Sequence, residues 1–251
     1  MNQNLTGRVA VITGASRGLG KAMAIALAQQ GARLALVSRD LEQLNATAQA
    51  VRSQGTEAEV FRTNVVDENE VRQLEADVLK RFGAVDILIN NAGINIRKDV
   101  PEFTLDEWRS VLDTNLTSVF LMCRSFVPHM TRSGYGRIIN MTSIMSHVSL
   151  PGRAAYSASK TGLLGFTKAL ALELAGTGVT VVAISPGPFA TEMNAPIIND
   201  AEKNAAFVAK IPMGRWGKLE EIGDLAAFIC SEGAGFITGT DILIDGGWCA
   251  Q

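Results

Sequence analysis

From residue 8 onward, short aliphatic and β-branched runs alternate with longer stretches whose apolar positions recur at helical spacing. The short runs predict strands at 9–12, 34–37, 59–61, 87–89, 137–141, 179–184 and 241–244. The longer stretches predict helices at 21–30, 41–53, 68–82, 105–130, 155–175 and 219–229. Strand and helix alternating in this way imply a single-domain α/β fold, a Rossmann-type doubly wound parallel sheet of about seven strands with helices on both faces. No repeat or low-complexity linker divides residues 1–251. Residues 186–217, rich in proline and glycine, predict a long loop, and such loops serve as substrate lids.

Directly behind the first strand stands Thr13-Gly14-Ala15-Ser16-Arg17-Gly18-Leu19-Gly20, followed at once by a helical pattern. Glycine permits a tight turn and a close backbone approach, and a helix N-terminus offers unpaired N–H groups to a pyrophosphate. The spacing G-x-x-x-G-x-G resembles that of the short-chain dehydrogenase/reductase family. The resemblance continues at Asn90-Asn91-Ala92-Gly93, at the pair Tyr156 and Lys160, at Pro186-Gly187, and at the closing Asp245-Gly246-Gly247.

The end of the second strand bears on which dinucleotide fits. An acid there would accept from a ribose 2′-OH and repel a 2′-phosphate. The position holding that acid in NAD-preferring members is Ser38 in this chain, followed by Arg39, and Arg17 lies in the glycine turn. Two guanidiniums could converge on one phosphate, which favours NADP and leaves NAD as the alternative through Asp40. The resemblance also implies cofactor contacts from Asn91, Ala92, Gly93, Pro186, Gly187 and Thr191. Near the adenine, Asn64 and Val65 replace the usual Asp.

Tyr156 and Lys160 share one face of a helix, one turn apart. A phenol titrates near ~10, and a nearby positive charge draws that value toward neutrality, so Lys160 is expected to make Tyr156 a usable acid or base. The resemblance adds Ser143 as the hydroxyl that orients substrate. It adds Asn115, in a distorted helix, as a link through water to Lys160. The expected reaction is hydride transfer between nicotinamide and a carbonyl or secondary alcohol, with no metal. Met193, Ile197, Phe207, Met213 and Trp216 could form an apolar lid.

The stretches around 93–98, 191–193 and 214–217 look like those of gluconate 5-dehydrogenases, and Arg97, Arg153 or His147 could meet a carboxylate. The alternatives are a 3-oxoacyl-carrier-protein reductase and, from another class, a non-catalytic dinucleotide-binding regulator. With 23 Lys and Arg against 25 Asp and Glu there is no basic field for nucleic acid. Three widely spaced cysteines, Cys123, Cys230 and Cys249, suggest neither zinc nor disulfides. The first four residues lack a leader pattern and no apolar run is long enough to span a membrane, so the expected compartment is the cytoplasm. By resemblance the expected assembly is a homotetramer.

Overall fold

The computed structural model describes residues 5–251, and the N-terminal tetrapeptide read above lies outside them. Among the described residues, β1 (Val9–Thr13), α1 (Gly18–Gln29), β2 (Arg33–Ser38), α2 (Leu41–Arg52), β3 (Ala58–Arg62), α3 (Glu68–Phe82) and β4 (Ile87–Asn90) alternate without exception. The second half adds α4 (Leu105–Leu112), α5 (Ser118–Ser133), β5 (Gly136–Met141), α6 (Ala154–Glu173) and β6 (Val179–Pro186). It ends with α7 (Ala195–Ile198), α8 (Ala201–Val208), α9 (Leu219–Cys230) and β7 (Asp241–Ile244). All pairings are parallel, in the order β3-β2-β1-β4-β5-β6-β7.

Strand periodicity sorts the core into two layers. Ala10, Ile12, Ile87 and Ile89 face one side and pack with α1, α2 and α9 through Met23, Leu27, Leu44 and Ile222. Val9, Val11 and Leu88 face the other and meet α3, α5 and α6 through Leu74, Phe126 and Leu163. Both faces are buried, which is why these strands read as continuous apolar runs. Helix ends follow local chemistry. Asp40 and Asp67 accept from the first-turn N–H groups of α2 and α3, and Gly83 and Gly134 close α3 and α5 at φ 79° and 69°.

The distortion expected at Asn115, within the helix expected over 105–130, is a π segment, Asp113–Thr117, between α4 and α5. One expectation is corrected. The expected loop over 186–217 contains α7 and α8, because Pro196 is favourable in the first turn of α7 and Asp200 caps α8 by accepting from the Lys203 N–H.

Candidate active site

The strand order reverses between β1 and β4, and a crevice of about 880 Å³ opens over the carboxyl ends of the strands. The residues proposed above as catalytic or cofactor-binding line it except Gly20 and Asn115, which lie just behind the wall, and Asp40, the alternative ribose contact.

At one end the wall is mainly backbone. Gly14 and Gly18 hold φ of 63° and 54°, in the region side chains rarely adopt. A Cβ on Gly20 would fall 2.3 Å from the Gly14 carbonyl oxygen, so this position admits no side chain. Helix α1 begins at this turn with no side-chain cap, leaving its N-terminus to a ligand. The Asn91-Ala92 turn braces it from the next strand. The Asn91 amide donates to the Thr13 and Gly14 carbonyls at 3.0 and 3.1 Å, and Thr13 Oγ1 accepts from the Asn91 and Ala92 N–H groups at 2.9 and 3.0 Å. Thr13, absent from the sequence expectations, is thus the hinge pin between β1 and β4.

Beyond β2, Ser38 and Arg39 line the crevice while Asp40 does not, its carboxylate being occupied at the start of α2. Among the described residues Arg39 has no ion-pair partner. Arg17 instead reaches across the crevice to Glu192 at 2.7 Å. Asn64 and Val65 both face the crevice.

The other end is built from side chains. Half-buried Tyr156 and buried Ser143 face the crevice together, and Ser143 Oγ accepts from the Met145 N–H at 3.1 Å. Lys160 is buried, and its Nζ donates to the Met141 carbonyl at 2.6 Å. Burial pulls the Lys160 pKa down to about 8. The expected effect of Lys160 on the phenol is corrected. Burial pushes the Tyr156 pKa above the ordinary tyrosine value, opposed by the Ser143 hydrogen bond and the Arg153 charge. The Lys160 ammonium is instead hydrogen-bonded to the main chain, 5.8 Å from the centre of the Tyr156 ring.

Asn115 sits fully buried in the π segment. Its amide clamps Ile94, accepting from the N–H at 2.8 Å and donating to the carbonyl at 3.0 Å, and also donates to Ser159 Oγ at 3.0 Å. Ser159 in turn donates to the Tyr156 carbonyl at 2.7 Å. Asn115 Oδ1 and Lys160 Nζ lie 3.2 and 3.6 Å from where a Gly93 Cβ would stand, so glycine there leaves the two polar groups neighbours.

Arg97 and Arg153 line the crevice beside Tyr156, and neither has a carboxylate partner among the described residues. Each lies within reach of the other's charge, and burial together with Arg97 lowers the Arg153 pKa. His147 does not line the crevice but turns to Asp241. Of the apolar residues expected as a lid, Ile197 and Phe207 line the crevice, and Trp216 stacks behind Phe207 at 4.8 Å. Met213 is largely exposed and off the wall, because the turn at Gly214 carries it outward, and the Met193 side chain lies outside the described part of the structure. Trp248, which no periodicity flagged, lines the crevice and meets Phe207 at 5.4 Å. Buried Cys123 and Cys230 are pushed up to about 12, so neither thiol is a nucleophile. No cluster of metal-ligating side chains occurs among the described residues.

A family described as enoyl-(acyl carrier protein) reductase matches residues 14–249. A 3-oxoacyl-[acyl-carrier-protein] reductase of Synechocystis sp. is 40% identical over 245 residues, covering 97% of each chain. A gluconate 5-dehydrogenase of Gluconobacter oxydans is 35% identical over 244 residues, covering 97% of this chain and 95% of that one. A solved structure from Beutenbergia cavernae, named as a candidate NAD(P)-dependent gluconate 5-dehydrogenase with NADP bound at low occupancy, superposes with a TM-score of 0.94 at 36% identity over 100% of both chains.

Proposed function

The chain belongs to the short-chain dehydrogenase/reductase family and is an NAD(P)-dependent oxidoreductase acting on CH–OH groups, and from this premise we propose that it interconverts a sugar acid and its keto form with NADP. Family membership sets aside the non-catalytic regulator. The observation that carries the substrate class is the pair Arg97 and Arg153, two guanidiniums without acid partners beside Tyr156. Such groups hold a carboxylate by charge-assisted hydrogen bonds. The NADP preference rests on Arg39 and the uncharged Ser38 at the β2 end, with Asp40 withdrawn to its helix.

The fit to a dinucleotide is physical. A side chain at Gly20 would collide with the Gly14 carbonyl and the Asn91 amide that shape the turn, and α1 presents an uncapped N-terminus there. The residues that would hold the cofactor are Gly14, Ser16, Arg17, Gly18 and Leu19 at the phosphates, Ser38, Arg39, Asn64 and Val65 at the adenosine, and Asn91, Ala92 and Gly93 beyond it. Pro186, Gly187, Thr191, Tyr156 and Lys160 close the nicotinamide end. The bound dinucleotide supplies or accepts hydride. In reduction, Tyr156, protonated at neutral pH, gives its O–H proton to the carbonyl oxygen. Ser143 holds that oxygen. Lys160, anchored on Met141, would hold the ribose of the bound dinucleotide and resupply the proton to Tyr156, and Asn115 keeps the π segment and Ile94 in place.

The segment 186–217 acts as the lid through Ile197 and Phe207, with Trp216 behind them. We also read the protein as a cytoplasmic homotetramer. Trp108 on α4, Phe120 on α5 and Leu172 on α6 are 36%, 45% and 78% exposed, and further copies would cover them. Among the described residues no helix is long and apolar enough to cross a membrane. A second reading, reduction of 3-oxoacyl thioesters, is favoured by the similarity to the Synechocystis protein. Dinucleotide-linked turnover of sugar acids, their keto forms, simple ketones and 3-oxoacyl thioesters with both cofactors decides. Highest kcat/KM on a sugar acid pair with NADP(H) supports the proposal, and highest kcat/KM on the thioester with little turnover of acids overturns it.

A further inference from the structure

Behind Ser143 lies a polar cluster that the reaction as described does not use. Asp241 opens β7 with its carboxylate only 11% exposed. Its Oδ2 takes the His147 ring nitrogen at 2.5 Å and the Ser185 hydroxyl at 2.7 Å, and its Oδ1 takes the Thr142 hydroxyl at 3.2 Å. Both hydroxyls have main-chain claims as well. Ser185 Oγ lies 3.1 Å from the Ser143 carbonyl, and Thr142 Oγ1 lies 2.6 Å from the Ile184 carbonyl.

A hydroxyl has one proton and a carboxylate has none, and the two hydroxyls lie 2.9 Å from each other, so two hydroxyl protons face four carbonyl and carboxylate oxygens as well as each other's Oγ. His147 is the remaining donor. Facing a carboxylate oxygen, its Nε2 carries the hydrogen, whichever form the other nitrogen takes. With that N–H satisfying Asp241, the Ser185 and Thr142 protons stay shared with the strand-end carbonyls, including that of Ser143. Without it, the carboxylate draws both hydroxyls toward itself and the Ser143 carbonyl loses its side-chain donor. The same hydrogen bond ties the segment from Ser143 to Arg153, which carries both the substrate-orienting hydroxyl and a substrate-facing guanidinium, to the last strand of the sheet.

We propose that His147 is a positioning residue that holds Ser143 in register through Asp241 and Ser185. The inference rests on the role given to Ser143 above. If Ser143→Ala leaves kcat unchanged, that role fails first, independently of His147.

The experiment measures kcat, KM and NADPH Kd for His147→Leu, His147→Gln, Asp241→Asn and the pair His147→Leu with Asp241→Asn. His147→Leu is expected to lower kcat about tenfold with NADPH Kd within about twofold of the parent. His147→Gln, which keeps an N–H donor, should retain kcat within about threefold. Asp241→Asn should raise the kcat of the His147→Leu background, because the neutral amide no longer needs the missing proton. A His147→Leu kcat near that of the parent overturns the proposal. So does a double variant as slow as the product of the two single losses, which marks a merely structural pair.

Discussion

The two ends of the crevice are built on different principles. At the β1–β2 end the determinants are mainly main-chain, positive-φ glycines and a helix start without a cap, braced by the Asn91 side-chain amide on two carbonyls. At the β5–β6 end they are side chains brought together from the segment after β4, the end of β5 and α6. A main-chain site tolerates almost no change of residue but discriminates only phosphate geometry. A side-chain site keeps its frame when one group is exchanged, so it can be retuned from one substrate to another. This is a physical reason that relatives similar over nearly the whole chain can be named for substrates as different as gluconate and a 3-oxoacyl carrier protein.

The contrast is tested most severely at Tyr156. Tyr156→Phe should lower kcat by roughly 10³-fold, the scale of a general acid, while NADPH Kd measured by fluorescence stays within about twofold. The opposite pattern belongs to the other end. Gly20→Ala, forced against the Gly14 carbonyl, should weaken dinucleotide binding by roughly 30- to 100-fold, seen in the same titration. Arg153→Leu should raise KM for an acidic substrate by about tenfold and leave an uncharged ketone unaffected, which steady-state kinetics with both substrates checks. Arg39→Ala should weaken NADPH about fivefold and leave NADH unchanged. The smallest effect is on stability. The folded Lys160 pKa of about 8 lies below the ordinary lysine value of 10.5, so between them the unfolded chain binds more protons and stability rises with pH. Against Lys160→Met, urea denaturation should show the parent gaining about 1 kcal/mol from about pH 8 to about pH 9.

The five inner strands were legible because both their faces are buried and their cores read as short apolar runs, while the edge strands β3 and β7 are partly exposed and show shorter apolar stretches. The glycine turn was legible because backbone geometry leaves few residue choices. The helix distortion at Asn115 was legible only through the family resemblance, since the π segment carries no proline or glycine and the clamp of Asn115 on Ile94 joins residues 21 apart in the chain. Trp248 reaches the crevice only because the Gly246-Gly247 turn, at φ 64° and 87°, folds the C-terminal segment back. His147 looked like a substrate contact because its partner, Asp241, lies 94 residues away. The lysine effect on the phenol was misjudged because helical spacing shows which face a side chain shares, and the Met141 carbonyl that captures Lys160 is on another element.

The central claim is one crevice with a phenol proton donor between a dinucleotide and a guanidinium-held acid. A crystal structure of the protein with NADP and a turned-over sugar acid tests it most directly. The account predicts the reacting hydroxyl on Tyr156 Oη and Ser143 Oγ, with the carboxylate hydrogen-bonded to Arg97 or Arg153. A carboxylate directed to solvent, with both guanidiniums bonded elsewhere, would contradict it.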